Sequence, residues 1–560
     1  MKSFLVSAIL VALFLVSSGE ERNFEGFRTG NPLNKPALKD SLCTHKIILR
    51  TDGKLLSWYQ PETEGAGYGQ VIELASEFIK NGVPREPETG MELYYLFCEF
   101  VGPEANADFY KGTTGRTDLP HNPACVFAGF TESLAVKYRV YSGDETYLEI
   151  VRKCLDHMLQ YGTTPSDWKW SDCPYASSYP GKTTYYGTSF LEDGRGDGEY
   201  VLEPDKVGEM GYAYLQFYEI TEEPVYLEAA LNCAKALAQN IRSGSYGQSP
   251  WPNRVKAEND ESLEDYGSNV LPCIKLFDEI IRISSRIEID QNLFEAFNAA
   301  RATAWKWLFS IEGPMKTYVW KGYFEDTPID PENKNRVQIT PLELARYLIE
   351  HPEYDPYYKE HVPALINWCK SVFGTDGSRG YNAQCEQLIC YRPMGSHSAR
   401  YASVCAMWHE LSKEKWYRSE AFENFNWATY CTSKKGIVSV GTGWAGSWFS
   451  DGYGDYIKHF IDGMAAIPEW APDGEDHWLS STSVVQTIRY SPEEISYKTF
   501  LPSSTEKFKL TSKPKQVIVD GQVLRKTENL DSDGWTWEKL KNGGVLCIKH
   551  SKGREILIRK

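Results

Sequence analysis

The chain has 560 residues, more than one folding unit of ordinary size requires. Its 60 basic and 76 acidic residues leave a net charge of −16, which argues against nucleic acid as a partner, because phosphate binding needs a basic surface. The thirteen cysteines are an odd number, and several sit inside apolar helical patterns without CxxC spacing. They read as small buried hydrophobes, with one or two disulfides permitted if the protein is exported.

Lys2 precedes an apolar run from Phe4 to Val16, interrupted only by Ser7, and Ser17, Ser18 and Gly19 follow. The run is too short to span a bilayer and the small residues suit a signal peptidase, so residues 1–19 read as a signal peptide and the protein as secreted or periplasmic. No later stretch reads as a membrane span. The mature chain divides into a helical region, 20–478, and a β-rich region, 479–560.

An internal repeat sets the architecture of the first region. Residues 137–154 (KYRVYSGDETYLEIVRKC) align with 216–233 (QFYEITEEPVYLEAALNC), so that Tyr147, Leu148, Glu149 and Cys154 meet Tyr226, Leu227, Glu228 and Cys233 at a constant offset of 79 residues. Each copy is an apolar helix, a short polar turn and a second amphipathic helix, in other words a helical hairpin. Further pairs follow at 268–286 with 291–310, 341–350 with 357–373, and 396–411 with 415–431, flanked by 69–80 and 91–100 before and 454–466 after. Hairpins of this kind cannot bury both faces alone. A closed (α/α)6 toroid of six pairs fits the count, with an open two-layer solenoid as the alternative.

In such a ring the inner helices run parallel and bring their N-termini to one mouth. Asn122-Pro123 supplies an N-cap and a first-turn proline, and Thr340-Pro341-Leu342-Glu343 reads as a capping box. Several positive helix ends at one cavity favour an anionic ligand. Polar clusters gather just before two starts: Asp118-Leu119-Pro120-His121-Asn122, and the loop from Glu192 to Glu199 that holds Asp193, Arg195 and Asp197. The repeat offset carries Asp118 onto Asp197. Glycoside hydrolysis needs two carboxyl groups, one protonated and one charged, and this equivalent pair is the candidate catalytic couple. His121, Asp193 and Arg195 beside it are candidate substrate ligands. Arg195 interrupts the acidic loop and no EF-hand pattern is met, so neither metal nor cofactor is expected.

Tyr266 and Asn269 precede the helix at 268–286 and join the candidate substrate residues. Glu386 is followed by Tyr391-Arg392-Pro393-Met394-Gly395-Ser396-His397-Ser398-Ala399-Arg400-Tyr401, where His397, Arg400 and Tyr401 at i, i+3, i+4 share a helical face. An imidazole, a guanidinium fork and a phenol so placed suit a carboxylate, the alternative being a packed helix start with Arg400 paired to Glu386. Trp444 and Trp448 in the Gly-rich loop 441–448 are candidate stacking platforms for sugar rings, in a chain that is 14% aromatic.

The last eighty residues carry β-rich runs at 484–490, 495–500, 516–519, 545–548 and 555–558. Asp520-Gly521 and Asn542-Gly543-Gly544 mark hairpins, so an antiparallel β-sandwich is expected there.

Across residues 60–475 the Tyr-Leu-Glu hairpins, the helix-start carboxylates and the segment PMGSHSARY resemble the six-hairpin toroid glycosidases and lyases that act on uronic-acid glycans, among them unsaturated glucuronyl hydrolases and β-glucuronidases. The resemblance implies a cavity with two acidic catalytic residues, carried over here to Asp118 and Asp197, and an anionic oligo- or polysaccharide substrate. Two other readings stay open: a lyase or epimerase using His397 or Tyr401 with Arg or Asn neutralising charge, and a glycan-binding protein without catalysis.

Overall fold

The computed structural model describes residues 41–42, 45–83, 92, 123–175, 200–322, 334–375, 381–388, 391–439, 441 and 450–560. Twelve long helices occur among them. The first three are α1 (Ala66–Glu77), α2 and α3 (Thr146–Tyr161); α2 starts as Pro123–Phe130, widens to an i→i+5 pattern over Thr131–Tyr138 and ends as Arg139–Ser142. Next come α4 (Pro204–Thr221), α5 (Pro224–Gln239), α6 (Leu271–Ile283), α7 (Gln291–Leu308) and α8 (Ile339–Glu350). The series closes with α9 (Tyr358–Phe373), α10 (Gly395–Ser412), α11 (Lys415–Thr429) and α12 (Ser450–Ala466).

The even-numbered helices touch one another in order and α12 returns to α2, which closes an inner ring. Each odd-numbered helix packs outside an even-numbered one, with α1 backing α12. The arrangement is the (α/α)6 toroid, not the open solenoid. Its seam is tight: a Cβ on Gly454 of α12 would stand 2.8 Å from the backbone of Gly129 in α2. On the outer side of that seam the Tyr68 ring of α1 lies 5.4 Å from Phe460 of α12.

The repeat explains the first two hairpins residue by residue. Tyr147 and Tyr226 are both buried, as are Cys154 and Cys233, where the outer helices meet the inner ones. The preceding turns use left-handed caps, Gly143 at φ 76° and Glu222 at φ 57°. Among the described residues no two cysteines form a disulfide with each other. One local expectation is corrected at α8: the helix already starts at Ile339, so Thr340 is not its cap, and Gln338 at the cap position makes no side-chain cap bond. Glu343 is thereby released from capping and turns toward the ring interior. Helix 91–100 and Asn122 lie outside the described residues.

Beside a short hairpin, β1 (Ser41–Leu42) and β2 (His45–Lys46), a small sheet of β3 (Val201–Leu202), β4 (Arg254–Lys256) and β5 (Ser262–Glu264) leads into α4. From His477 the chain is all β. The strands are β6 (His477–Ser481), β7 (Val485–Tyr490), β8 (Glu494–Thr499), β9 (Ser504–Leu510) and β10 (Gln516–Val519). They continue as β11 (Gln522–Leu524), β12 (Gly534–Lys539), β13 (Gly544–His550) and β14 (Glu555–Arg559). They form two antiparallel sheets, ordered β11-β10-β14-β8-β7 and β12-β13-β9-β6. Tyr497 of one sheet lies 5.4 Å from Phe508 of the other, which marks the sandwich interior. Asp520 and Gly521, both at positive φ, make the two-residue turn between β10 and β11.

The sandwich caps the C-terminal ends of the inner helices. Strands β6 and β7 touch α2, β6 also touches α12, and β7 also touches α4. Arg139, fully buried near the end of α2, fastens this junction: Nε donates to Ala135 O at 2.8 Å, Nη1 to Gln486 O at 3.2 Å and to Glu145 Oε1 at 3.0 Å, and Nη2 to Val485 O. Among the described residues no helix is long and apolar enough to cross a membrane.

Candidate active site

A cavity of about 230 Å³ lies where the N-terminal halves of all six inner helices meet. Its walls include Cys125 and Glu132 from α2, Asp205 and Glu209 from α4, Lys275 from α6, Glu343 from α8, His397 and Arg400 from α10, and Asp455 and Lys458 from α12. The common direction of the inner helices produces this convergence: residues in the first two or three turns of each point into the bore. Glu203, Asn253, Asn269, Glu386 and Gln387 join them from the connecting segments.

The charges are organised as two groups. On α4, Asp205 and Glu209 are one turn apart and share a face. Asn269 Nδ2 donates to Asp205 at 2.9 Å and stands 3.5 Å from Glu209, while Lys206 Nζ is 3.2 Å from Glu209 and 3.7 Å from Asp205. Burial pushes the Glu209 carboxyl above its ordinary range; Lys206 pulls it down and Asp205 adds to the rise. Glu209 is thereby biased toward its protonated form.

The second group spans α2, α8, α10 and α12. Arg400 donates through Nε to Glu343 at 3.0 Å, through Nη2 to Asp455, and through Nη1 to His397 Nδ1 at 2.9 Å. Lys458 bridges Glu132 at 3.0 Å and Asp455 at 3.3 Å, and Arg346 links Glu132 at 3.2 Å to Asp462 at 2.9 Å. Burial opposes ionisation here as well, but Lys458, Arg346 and Arg400 prevail and hold Glu343 at about 2. Asp455 is likewise held low by Arg400 and Lys458, and Glu132 by Lys458, both against burial. One cavity thus holds carboxyls driven in opposite directions, which is the electrostatic requirement of acid/base catalysis at a single pH.

The sequence candidates separate on this frame. Asn269, Glu386, His397 and Arg400 line the cavity. Asp118, His121, Asp193, Arg195, Asp197, Trp444 and Trp448 lie outside the described residues, in segments that precede α2, α4 and α12 in the chain. Two candidates are corrected. Tyr401 is fully buried and turns to the outer layer, its hydroxyl donating to Glu420 at 3.3 Å. An inner helix is buried on two sides, so a step of one residue from Arg400, about 100°, carries the side chain out of the bore. Tyr266 donates to Val319 O at 2.7 Å and packs edge-on to Trp307, a core role. Arg400 is paired to Glu343 and Asp455 and not to Glu386, the partner expected for a packed helix start. With its side chain 3% exposed and three partners in place, it is a brace between helices, not an open clamp for a substrate carboxylate.

The expectation of an anionic ligand also changes. Of the cavity cations, Lys206, Arg400 and Lys458 are ion-paired, and among the described residues Lys275 alone makes no ion pair. Glu132, Glu209, Glu343, Asp455 and Lys458 were not singled out from sequence, although charged residues at i, i+3, i+4 and i+7 within the otherwise apolar α12 (Asp455, Lys458, His459, Asp462) are a readable signal of a polar inner face.

No family model matches the chain, and no curated protein matches it. Its shape is similar to that of solved structures at low identity. A sugar epimerase from a ruminal bacterium aligns at 10% identity over 70% of this chain and 98% of its own, with a TM-score of 0.48. A family 76 glycoside hydrolase from a bovine Bacteroides thetaiotaomicron strain aligns at 12% identity over 72% and 78%, TM-score 0.46. An unsaturated glucuronyl hydrolase specific for heparin aligns at 12% identity over 72% and 97%, TM-score 0.41.

Proposed function

We propose that the protein is a carbohydrate-active enzyme, a glycoside hydrolase that works in the cavity at the N-terminal ends of the inner helices. The observation that carries this reading is the coexistence there of Glu209, driven toward its protonated form, with Glu343 and Asp455, held charged. In the reaction, a protonated carboxyl donates to the departing glycosidic oxygen while a charged one activates water or attacks the anomeric carbon. Glu209 is suited to the first role. Asp118 and Asp197, which precede α2 and α4, remain the proposed couple from the sequence repeat. The signal peptide reading makes export part of the proposal.

The geometry speaks against proton abstraction by the residues named for it. Arg400 donates to His397 Nδ1, which leaves the ring proton on Nε2, so that neutral His397 is a donor on that side. Tyr401 is outside the bore. A uronic-acid substrate, the class the sequence resemblance implies, would find its cation at Lys275, whose ammonium stands 4.8 Å over the Tyr212 ring.

The test is incubation of the protein with a panel of neutral and uronic-acid glycosides, following reducing ends and the ultraviolet absorbance of unsaturated products. New reducing ends without absorbance support hydrolysis. Absorbance identifies a lyase, and measurable binding with neither signal leaves an epimerase or a glycan-binding protein, which the proton NMR spectrum of the recovered sugar distinguishes. Glu209→Gln, Asp118→Asn and Asp197→Asn then decide which carboxyls act.

A further inference from the structure

Gln216 of α4 is two turns below Glu209 and lines the same cavity. It is 7% exposed, and among the described residues its buried Oε1 has no hydrogen-bond partner. A buried amide left unpaired costs about 1–3 kcal/mol, so such groups are kept where a ligand or water completes them. Asp205 Oδ1 is a second buried cavity oxygen without a partner. The two stand on one helix, one near the top of the described cavity wall and one deep in it.

What would satisfy both is a ligand rich in hydroxyl donors. An ionised carboxylate has no donor for either oxygen and would enter among Glu132, Glu343 and Asp455, of which the first two already share the field of Lys275. A sugar hydroxyl both donates and accepts, and a primary amide offers one acceptor and two donors, so the pair is matched edge to edge.

We infer that the cavity takes an uncharged, hydroxyl-bearing sugar ring, not a uronic acid, and that Gln216 is a specificity-determining residue reading a hydroxyl on the ring that goes deepest. The inference rests on the reading of this cavity as the place where a sugar is handled. It does not require that the sugar be hydrolysed.

Calorimetric titration of the intact protein with the methyl glycosides of glucose, galactose, mannose and glucuronic acid separates the two questions, since it needs no turnover. The expected result is binding of at least one neutral glycoside in preference to the glucuronide. Gln216→Leu should weaken that binding about 10- to 100-fold, the equivalent of a buried hydrogen-bond pair. The substitution should leave the melting temperature within a degree or two, because it removes an unpaired group, and Gln216→Asn serves as a second polar variant if the leucine disturbs the fold. Preference for the glucuronide, no binding of any of the four, or unchanged affinity in folded Gln216→Leu overturns the inference. Binding of a neutral glycoside with no product from any glycoside sinks the hydrolase reading and leaves this one standing.

Discussion

The two ends of the inner helices solve opposite problems with the same residue types. At the N-terminal end, Arg400 and Lys458 each reach two carboxylates on different helices, and the ions surround a cavity. At the C-terminal end, Arg139 is just as buried but gives three of its hydrogen bonds to backbone carbonyls, two of them on the sandwich. Side-chain carboxylates around an opening can change protonation and meet a ligand; backbone carbonyls do not titrate, and these are already taken by Arg139. One end is built for chemistry and the other as a joint.

The largest effect should come from Glu209→Gln at the mouth, which keeps shape and removes the transferable proton. Turnover on a glycoside with a poor leaving group should fall about 10²- to 10⁴-fold with an unchanged melting temperature. The wild-type rate should decline as pH rises through the elevated Glu209 value, and this limb should vanish in the variant. At the joint, Arg139→Met leaves the carbonyls of Ala135, Val485 and Gln486 without their donor. Unfolding free energy should drop by about 3–5 kcal/mol, read from the denaturant midpoint, with little change in turnover by whatever protein stays folded. Equal losses of activity and stability in both variants would erase the distinction between the ends.

A smaller effect is expected from His157, near the end of α3. Burial lowers its imidazole to about 4 from an ordinary value of 6.5. Because the folded value is depressed, the unfolded chain binds the proton first, and stability is lost as pH falls from about 6.5 toward 4. The loss should be about 3 kcal/mol across that window, and it should be largely absent in His157→Leu, measured as melting temperature against pH. Smallest is Gly454→Ala at the seam, where the added methyl meets the Gly129 backbone; about 1–3 kcal/mol should be lost. A seam with room to spare would show no change in melting temperature.

The ring was legible because its signals are local. Repeated Tyr, Leu and Cys positions, turn residues and apolar periods mark the hairpins, and the helix 268–286 differs from α6 mainly because Pro272 fixes the first turn. Strands with regular apolar runs, such as β10 and β14, were also readable. Strand β9 was not: in Ser504–Leu510 Glu506 faces the sandwich interior, where Tyr497 donates to it, and Lys509 is buried on the opposite face, where it donates to Ala471 O and Asp473. The same limit governed the site. Attention to residues at helix starts found Asn269, just ahead of α6, and His397, in the first turn of α10, but side chains one to three turns further in, Glu132, Glu209 and Gln216, become cavity residues only once six helices are parallel. The opposite turns of Arg400 and Tyr401 follow from an inner helix having two buried faces, which a single-face pattern does not reveal.

That α1 backs α12 has a kinetic consequence. The contact of Tyr68 with Phe460 joins segments separated by almost the whole ring, so its loop-closure entropy is met only after the other hairpins have drawn the ends together. During synthesis α1 is made first and waits longest. Until α12 leaves the ribosome, α1 lacks the inner helix that it backs and the flanks of α2 and α10 face an open gap, apolar surfaces that a premature stop between α10 and α12 would leave permanently exposed.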